Sequence, residues 1–132
     1  MAAARRPRIL VVDDDPAIAT TFETILSGEG YDVVTALEGA RAVELVSREP
    51  CDVALLDLVM PGLDGLEVLR RFRERAPGCR VLILSAYIEP ERQAEAFRLG
   101  AQAVLSKPPE LARLLRLLAD LTRPDAARDR SA

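Results

Sequence analysis

Residues 53–65 read Val53-Ala54-Leu55-Leu56-Asp57-Leu58-Val59-Met60-Pro61-Gly62-Leu63-Asp64-Gly65. Four unbroken apolar residues run straight into a carboxylate. A run so short, with no alternation of polar side chains, suits a parallel strand covered on both faces. The Pro-Gly pair after it is turn chemistry. Asp64 is then placed to cap a following helix, with Gly65 relieving crowding at its first turn. The segment therefore predicts strand, loop and helix, with Asp57 at the carboxyl end of the strand.

The same pattern repeats on either side. Short apolar runs occur at 9–12, 31–36, 53–56, 81–84 and 103–105, and helical periodicity fills the gaps. In the first gap Ile18, Phe22, Ile25 and Leu26 form one apolar face. Asp15 is its predicted N-cap, Pro16 its first helical residue, and Gly28 and Gly30 mark its end. Further helices are predicted at 40–49, 64–76, 91–99 and 109–121. Strand–helix alternation with short connections implies right-handed crossovers and one doubly wound parallel sheet, a (βα)₅ α/β domain. A chain of 132 residues fits a single domain. We expect the domain over residues 7–121, a disordered N-terminus at 1–6, and a disordered tail or linker remnant at 122–132.

Composition narrows the function. The chain contains no histidine, which excludes His-ligated metals and His-based triads. The net charge is −3 and no basic stripe with interleaved aromatics is present, which argues against direct nucleic-acid binding. No apolar run is long enough for a signal peptide or a membrane span, so we expect a cytoplasmic protein and no membrane partner. Cys51 and Cys79 have no metal-type spacing and read as small reduced core residues. The arginine-rich run 70–75 reads as a solvated helix face with Phe72 turned inward. On the leucine-rich last helix, Leu117 is expected to fall off the packed stripe.

In open α/β sheets, ligands bind beyond the carboxyl ends of the strands. Here those ends deliver Asp13-Asp14-Asp15, Asp57, Ser85 and Ser106-Lys107 to one edge. Two carboxylates about 5 Å apart repel by roughly 3 kcal/mol at an effective dielectric near 20. Converging carboxylates therefore need a cation or protons. Mg²⁺ prefers hard oxygen ligands and pairs with phosphate. The acidic triplet also has a plainer role as a helix cap, although a cap needs only one aspartate. A carboxylate can act as a nucleophile toward phosphorus and form an acyl phosphate. Lys107 is the single lysine among 18 basic residues, the rest being arginine. A compact ammonium suits a crowded anion pocket better than a planar guanidinium. The peptide bond before Pro108 is a candidate for the cis form. The Ser85 hydroxyl can donate to a phosphoryl oxygen.

Taken in order, residues 9–15, 55–65, 84–87, Gly100-Ala101 and Lys107-Pro108 resemble the receiver domain of bacterial two-component response regulators. The resemblance covers about residues 7–121. It implies a flavodoxin-like fold and a phosphorylation-activated signalling module that is not an enzyme. It implies that Asp57 is the phosphoacceptor, that Asp13, Asp14 and Asp57 hold Mg²⁺, and that the Val59 backbone carbonyl is a further metal ligand. Ser85 would sense the phosphoryl group and Lys107 would pair with it. The implied donor is a histidine kinase or a histidine phosphotransfer protein. A dimer or output partner is implied on the helix 4–strand 5–helix 5 face. One position departs from the pattern: Val104 stands where receivers usually carry an aromatic residue, and Tyr87 is the candidate substitute. The competing readings are a degenerate binding-only receiver and a Mg²⁺-dependent aspartate-nucleophile phosphatase of the haloacid dehalogenase type.

Overall fold

Period-two alternation along buried strands decides how the layers assemble. In the computed structural model, which describes residues 6–123, the elements follow one another as strand and helix five times. These are β1 (Arg8–Val12), α1 (Pro16–Gly28), β2 (Asp32–Ala36), α2 (Gly39–Arg48), β3 (Val53–Asp57), α3 (Gly65–Arg75), β4 (Arg80–Ser85), α4 (Pro90–Arg98), β5 (Ala103–Ser106) and α5 (Leu111–Leu121). The strands form one parallel sheet in the order β2-β1-β3-β4-β5. Because successive residues point to opposite faces, Leu10, Val12, Ala54, Leu56 and Ile83 pack beneath α2, α3 and α4. Ile9, Val11, Leu55, Leu82 and Leu84 pack beneath α1 and α5. The predicted doubly wound (βα)₅ sheet is the observed one. The expectations for 1–6 and 122–132 fall almost entirely outside the described residues.

The predicted caps form. Asp15 accepts from the backbone N–H groups of Ala17 and Ile18, with Pro16 at the first position of α1. Asp64 accepts from the Leu66 N–H at 2.9 Å at the start of α3. Gly65 has no room for a side chain: a Cβ would lie 2.5 Å from the Leu58 Cα and 2.8 Å from the Leu58 carbonyl oxygen. Those neighbours are backbone and cannot swing aside, so α3 starts close against the residue that follows Asp57. Gly62 takes a φ of +86° in the preceding turn, where a side chain would be strained.

Two side-chain expectations meet different outcomes. Phe72 is fully buried, and Arg70 and Arg71 lie outward with Glu67, as read from the sequence. Leu117 does not fall off the stripe. It is partly buried against the core with Leu115 and Leu121, while Leu111 is the leucine left largely exposed. The cause is spacing: Leu117 is three residues after Leu114 and four before Leu121, so it shares the helical stripe of the buried Leu114 and Leu118.

Asp64 also joins two elements. The Arg92 guanidinium of α4 donates to both of its carboxylate oxygens, at 3.0 and 3.3 Å. That pairing holds the Asp64 carboxyl below its ordinary value of 3.8. Asp64→Ala is expected to lower stability by about 1 kcal/mol through loss of the cap, read in urea unfolding at neutral pH. A depressed folded-state pKa contributes stability that is present above the ordinary value and is lost as pH falls through the lowered one. The difference between parent and variant should therefore shrink below pH 3.8. A difference that holds constant into acid would exclude the ionised cap.

Candidate functional site

The chain runs from β1 outward to β2, then returns past β1 to place β3 on its other side. The strand order reverses between β1 and β3, and their helices leave on opposite faces. A crevice opens there at the carboxyl ends. The two strands end in Asp13 and Asp57. Both carboxylates are buried, whereas Asp14 is exposed. Oxygens of Asp13, Asp14 and Asp57 all lie within 4.8 Å of one another. These are hard donors on one face of a crevice, and the set fits a small divalent cation.

Lys107 arrives from the far edge of the same sheet. Its backbone N–H donates to the Ser85 carbonyl at 3.0 Å, extending the β4–β5 pairing by one step. The peptide bond to Pro108 is cis, as the sequence suggested. The ammonium lies 2.5 Å from Asp13 Oδ2 and 2.9 Å from Asp57 Oδ2, with the side chain only 16% exposed. Burial alone would depress the lysine, but the hydrogen bonds and negative charges of Asp13 and Asp57 outweigh it and hold Lys107 above its ordinary value. One cation thus stands between two carboxylates that would otherwise repel.

Backbone groups that no side-chain pattern announces complete the site. The Val59 N–H donates to Asp57 Oδ1 at 2.9 Å, and the Asp15 N–H donates to Asp13 Oδ1 at 2.9 Å. Both are contacts to an aspartate from two residues downstream. That spacing is the available signal for an Asx turn at a strand end. Asp57 therefore has one oxygen held by the loop and the other by the lysine, in a fixed orientation.

Ser85 is in the neighbourhood but engaged elsewhere. It follows Leu84, the β4 partner of Asp57. Its buried hydroxyl donates to the Tyr87 carbonyl at 3.0 Å. Val104 is partly buried and packs against the α2–α3–α4 side of the core. The Tyr87 ring is turned outward and 71% exposed. Val59 is exposed beside the acceptor. Asp13, Asp14, Asp57 and Lys107 are thus brought into contact, while Ser85 and the Val59 main chain flank them.

The family model described as the response regulator receiver domain matches residues 9–119. The chain is 37% identical over 101 residues to sporulation initiation phosphotransferase F of Bacillus subtilis, covering 76% of this chain and 82% of that protein. It is 40% identical over 123 residues to the response regulator MprA of Mycobacterium leprae. That match takes in 91% of this chain but only 54% of the relative, so the chain spans about half the length of MprA. Among solved structures, a CheY-like response regulator receiver domain protein from Methanospirillum hungatei superimposes with a TM-score of 0.85 at 30% identity, over 88% of this chain and 93% of the other. With the family model matched over residues 9–119, and with its acid cluster and lysine at the carboxyl edge of a doubly wound sheet, the chain belongs to the response regulator receiver domain family.

Proposed function

We propose that Asp57 is the phosphoacceptor of this receiver, taking a phosphoryl group from a phosphohistidine on a histidine kinase or histidine phosphotransfer protein. The observation that carries this reading is the orientation of Asp57 between the Val59 N–H and the Lys107 ammonium, next to Asp13 and Asp14. A carboxylate oxygen of Asp57 attacks phosphorus, the phosphorus–nitrogen bond of the donor breaks, and an acyl phosphate forms while the imidazole departs. The residues that would hold Mg²⁺ are Asp13, Asp14 and Asp57, together with the Val59 carbonyl, and the bound ion would supply neutralising charge to the transferring oxygens. The Asp57 carboxylate loses its negative charge on becoming a mixed anhydride. The Lys107 ammonium is then released from that carboxylate and pairs with a phosphoryl oxygen. The module works as a switch and not as an enzyme, in a cytoplasmic setting. Its output or dimer partner docks on the α4–β5–α5 face. The phosphatase reading, in which Asp13 would be the nucleophile, would leave the buried and oriented Asp57 without that role.

Ser85 must turn to meet a phosphoryl oxygen, and turning breaks its bond to the Tyr87 carbonyl. Released from that bond, the 85–87 segment shifts. The movement reaches the Tyr87 ring directly, without the aromatic residue that Val104 replaces.

Incubation with Mg²⁺ and a small acyl phosphate is expected to add one phosphoryl group to the intact mass. Asp57→Asn and chelation should each abolish the gain. No gain, together with no binding of beryllofluoride, would make the domain a binding-only module. Lys107→Met is expected to destabilise the metal-free protein by about 1–3 kcal/mol at neutral pH, because it leaves two facing carboxylates without their cation. Urea unfolding checks this. Beryllofluoride is also expected to move the ring resonances of Tyr87 in the parent and not in Ser85→Ala. An unchanged ring in the parent would refute the route through Ser85.

A further inference from the structure

We propose that Cys51 and Cys79 form a dithiol site at the amino-terminal edge of the sheet, which is closed into an internal disulfide by exchange with a small-molecule disulfide. This site lies at the opposite end of β3 and β4 from the carboxylates and is independent of the phosphoacceptor reading.

The geometry rests on two adjacent parallel strands. Cys51 stands two residues before β3 and Cys79 one residue before β4, and Val53 pairs with Arg80 in the register between them. The Arg80 N–H donates to the Asp52 carbonyl at 3.0 Å, so the strands remain tied where the cysteines project. Both thiols are free and buried and belong to the same face of the core; the Cys51 thiol donates to the Val53 carbonyl at 3.1 Å and the Cys79 thiol to the Arg80 carbonyl at 3.8 Å. They also share a crevice of about 450 Å³ between the end of α2 and the loop after α3, which Arg48 and Arg75 help to line. Core cysteines scattered singly would not share an opening.

The two thiols are not equivalent. Cys51 is the more accessible, at 9% exposure against 2% for Cys79. The neighbouring Cys79 thiol draws the Cys51 pKa below its ordinary value, against the opposing effect of burial. The Cys51 thiol, reinforced by burial, pushes Cys79 up. The thiolate is the attacking species in exchange. Cys51 therefore attacks first: its sulfur bonds to one sulfur of the small disulfide, the sulfur–sulfur bond of the reagent breaks, and one reagent thiol leaves with the proton that Cys51 gave up. Cys79 then loses its proton and attacks the Cys51 sulfur, expelling the second reagent thiol. Two protein thiols are oxidised and one small disulfide is reduced to two thiols. In a reducing compartment such a bond is transient, which is the behaviour of a redox-sensing pair.

The test incubates the full chain in native buffer with oxidised glutathione, followed by acid quench, alkylation and intact mass. The expected product has lost two hydrogens, carries no glutathione and takes no alkyl group. Its non-reducing peptide map joins Cys51 to Cys79, and reduced glutathione reverses it. Cys79→Ala should stop at one glutathione on Cys51, while Cys51→Ala should leave Cys79 unreacted. Cys79→Ser serves as a second variant, and circular dichroism reports that each is folded. A parent that stays fully reduced, a parent that retains glutathione, or a folded Cys51→Ala that reacts at Cys79 as fast as the parent would each overturn the proposal.

Discussion

The site depends on one partly buried cation held against two buried anions. Lys107 sits 94 residues from Asp13 and 50 from Asp57, and all three meet at the carboxyl edge of the sheet. Each group is costly alone: an unpaired charge so far out of water costs several kcal/mol. The arrangement holds only when β1, β3 and β5 are in register. It also leaves the site sensitive to any change of charge on Asp57, because among the described residues the lysine's side-chain partners are Asp13 and Asp57.

The parallel sheet brings this about through its connectivity. Crossovers of one hand place α1 and α5 on one face and α2, α3 and α4 on the other, and the reversal of strand order between β1 and β3 leaves a crevice that no helix fills. Fully buried strands leave no polar group along their length, so the polar residues gather at the ends. The crowding of Gly65 against Leu58 belongs to the same economy of space. The start of α3 closes on the residue after the acceptor, and the loop between them supplies the Val59 N–H to Asp57.

The opposite edge of the sheet has a different chemistry. There Arg8 pairs with Asp32 and Glu49, and Arg80 runs beneath the end of α5 to donate to the Leu121 carbonyl. These contacts close the bottom of the layered stack of helices and strands at the end where the two cysteines lie. A single strand, β3, thus carries a carboxylate site at one end and adjoins a thiol pair at the other.

Hydrophobic periodicity is local, so the five strands, the five helices, the Asp15 and Asp64 caps and the parallel arrangement were legible in the sequence. So was the membership of Asp13, Asp14, Asp57 and Lys107 in one site, because strand ends share one edge of such a sheet. The tertiary structure decided which groups make the contacts. The lysine bridges Asp13 as well as Asp57, Ser85 is engaged with the Tyr87 carbonyl, and Leu111 rather than Leu117 is the exposed leucine of α5. It also brought Cys51 and Cys79 to one crevice across 27 residues of intervening chain. Pairings of this kind depend on strand register, on the exact start of a helix and on backbone hydrogen bonds. Those are set by the packing of the whole sheet against its helices, and a one-residue change in any of them alters the contact without altering the pattern of apolar residues.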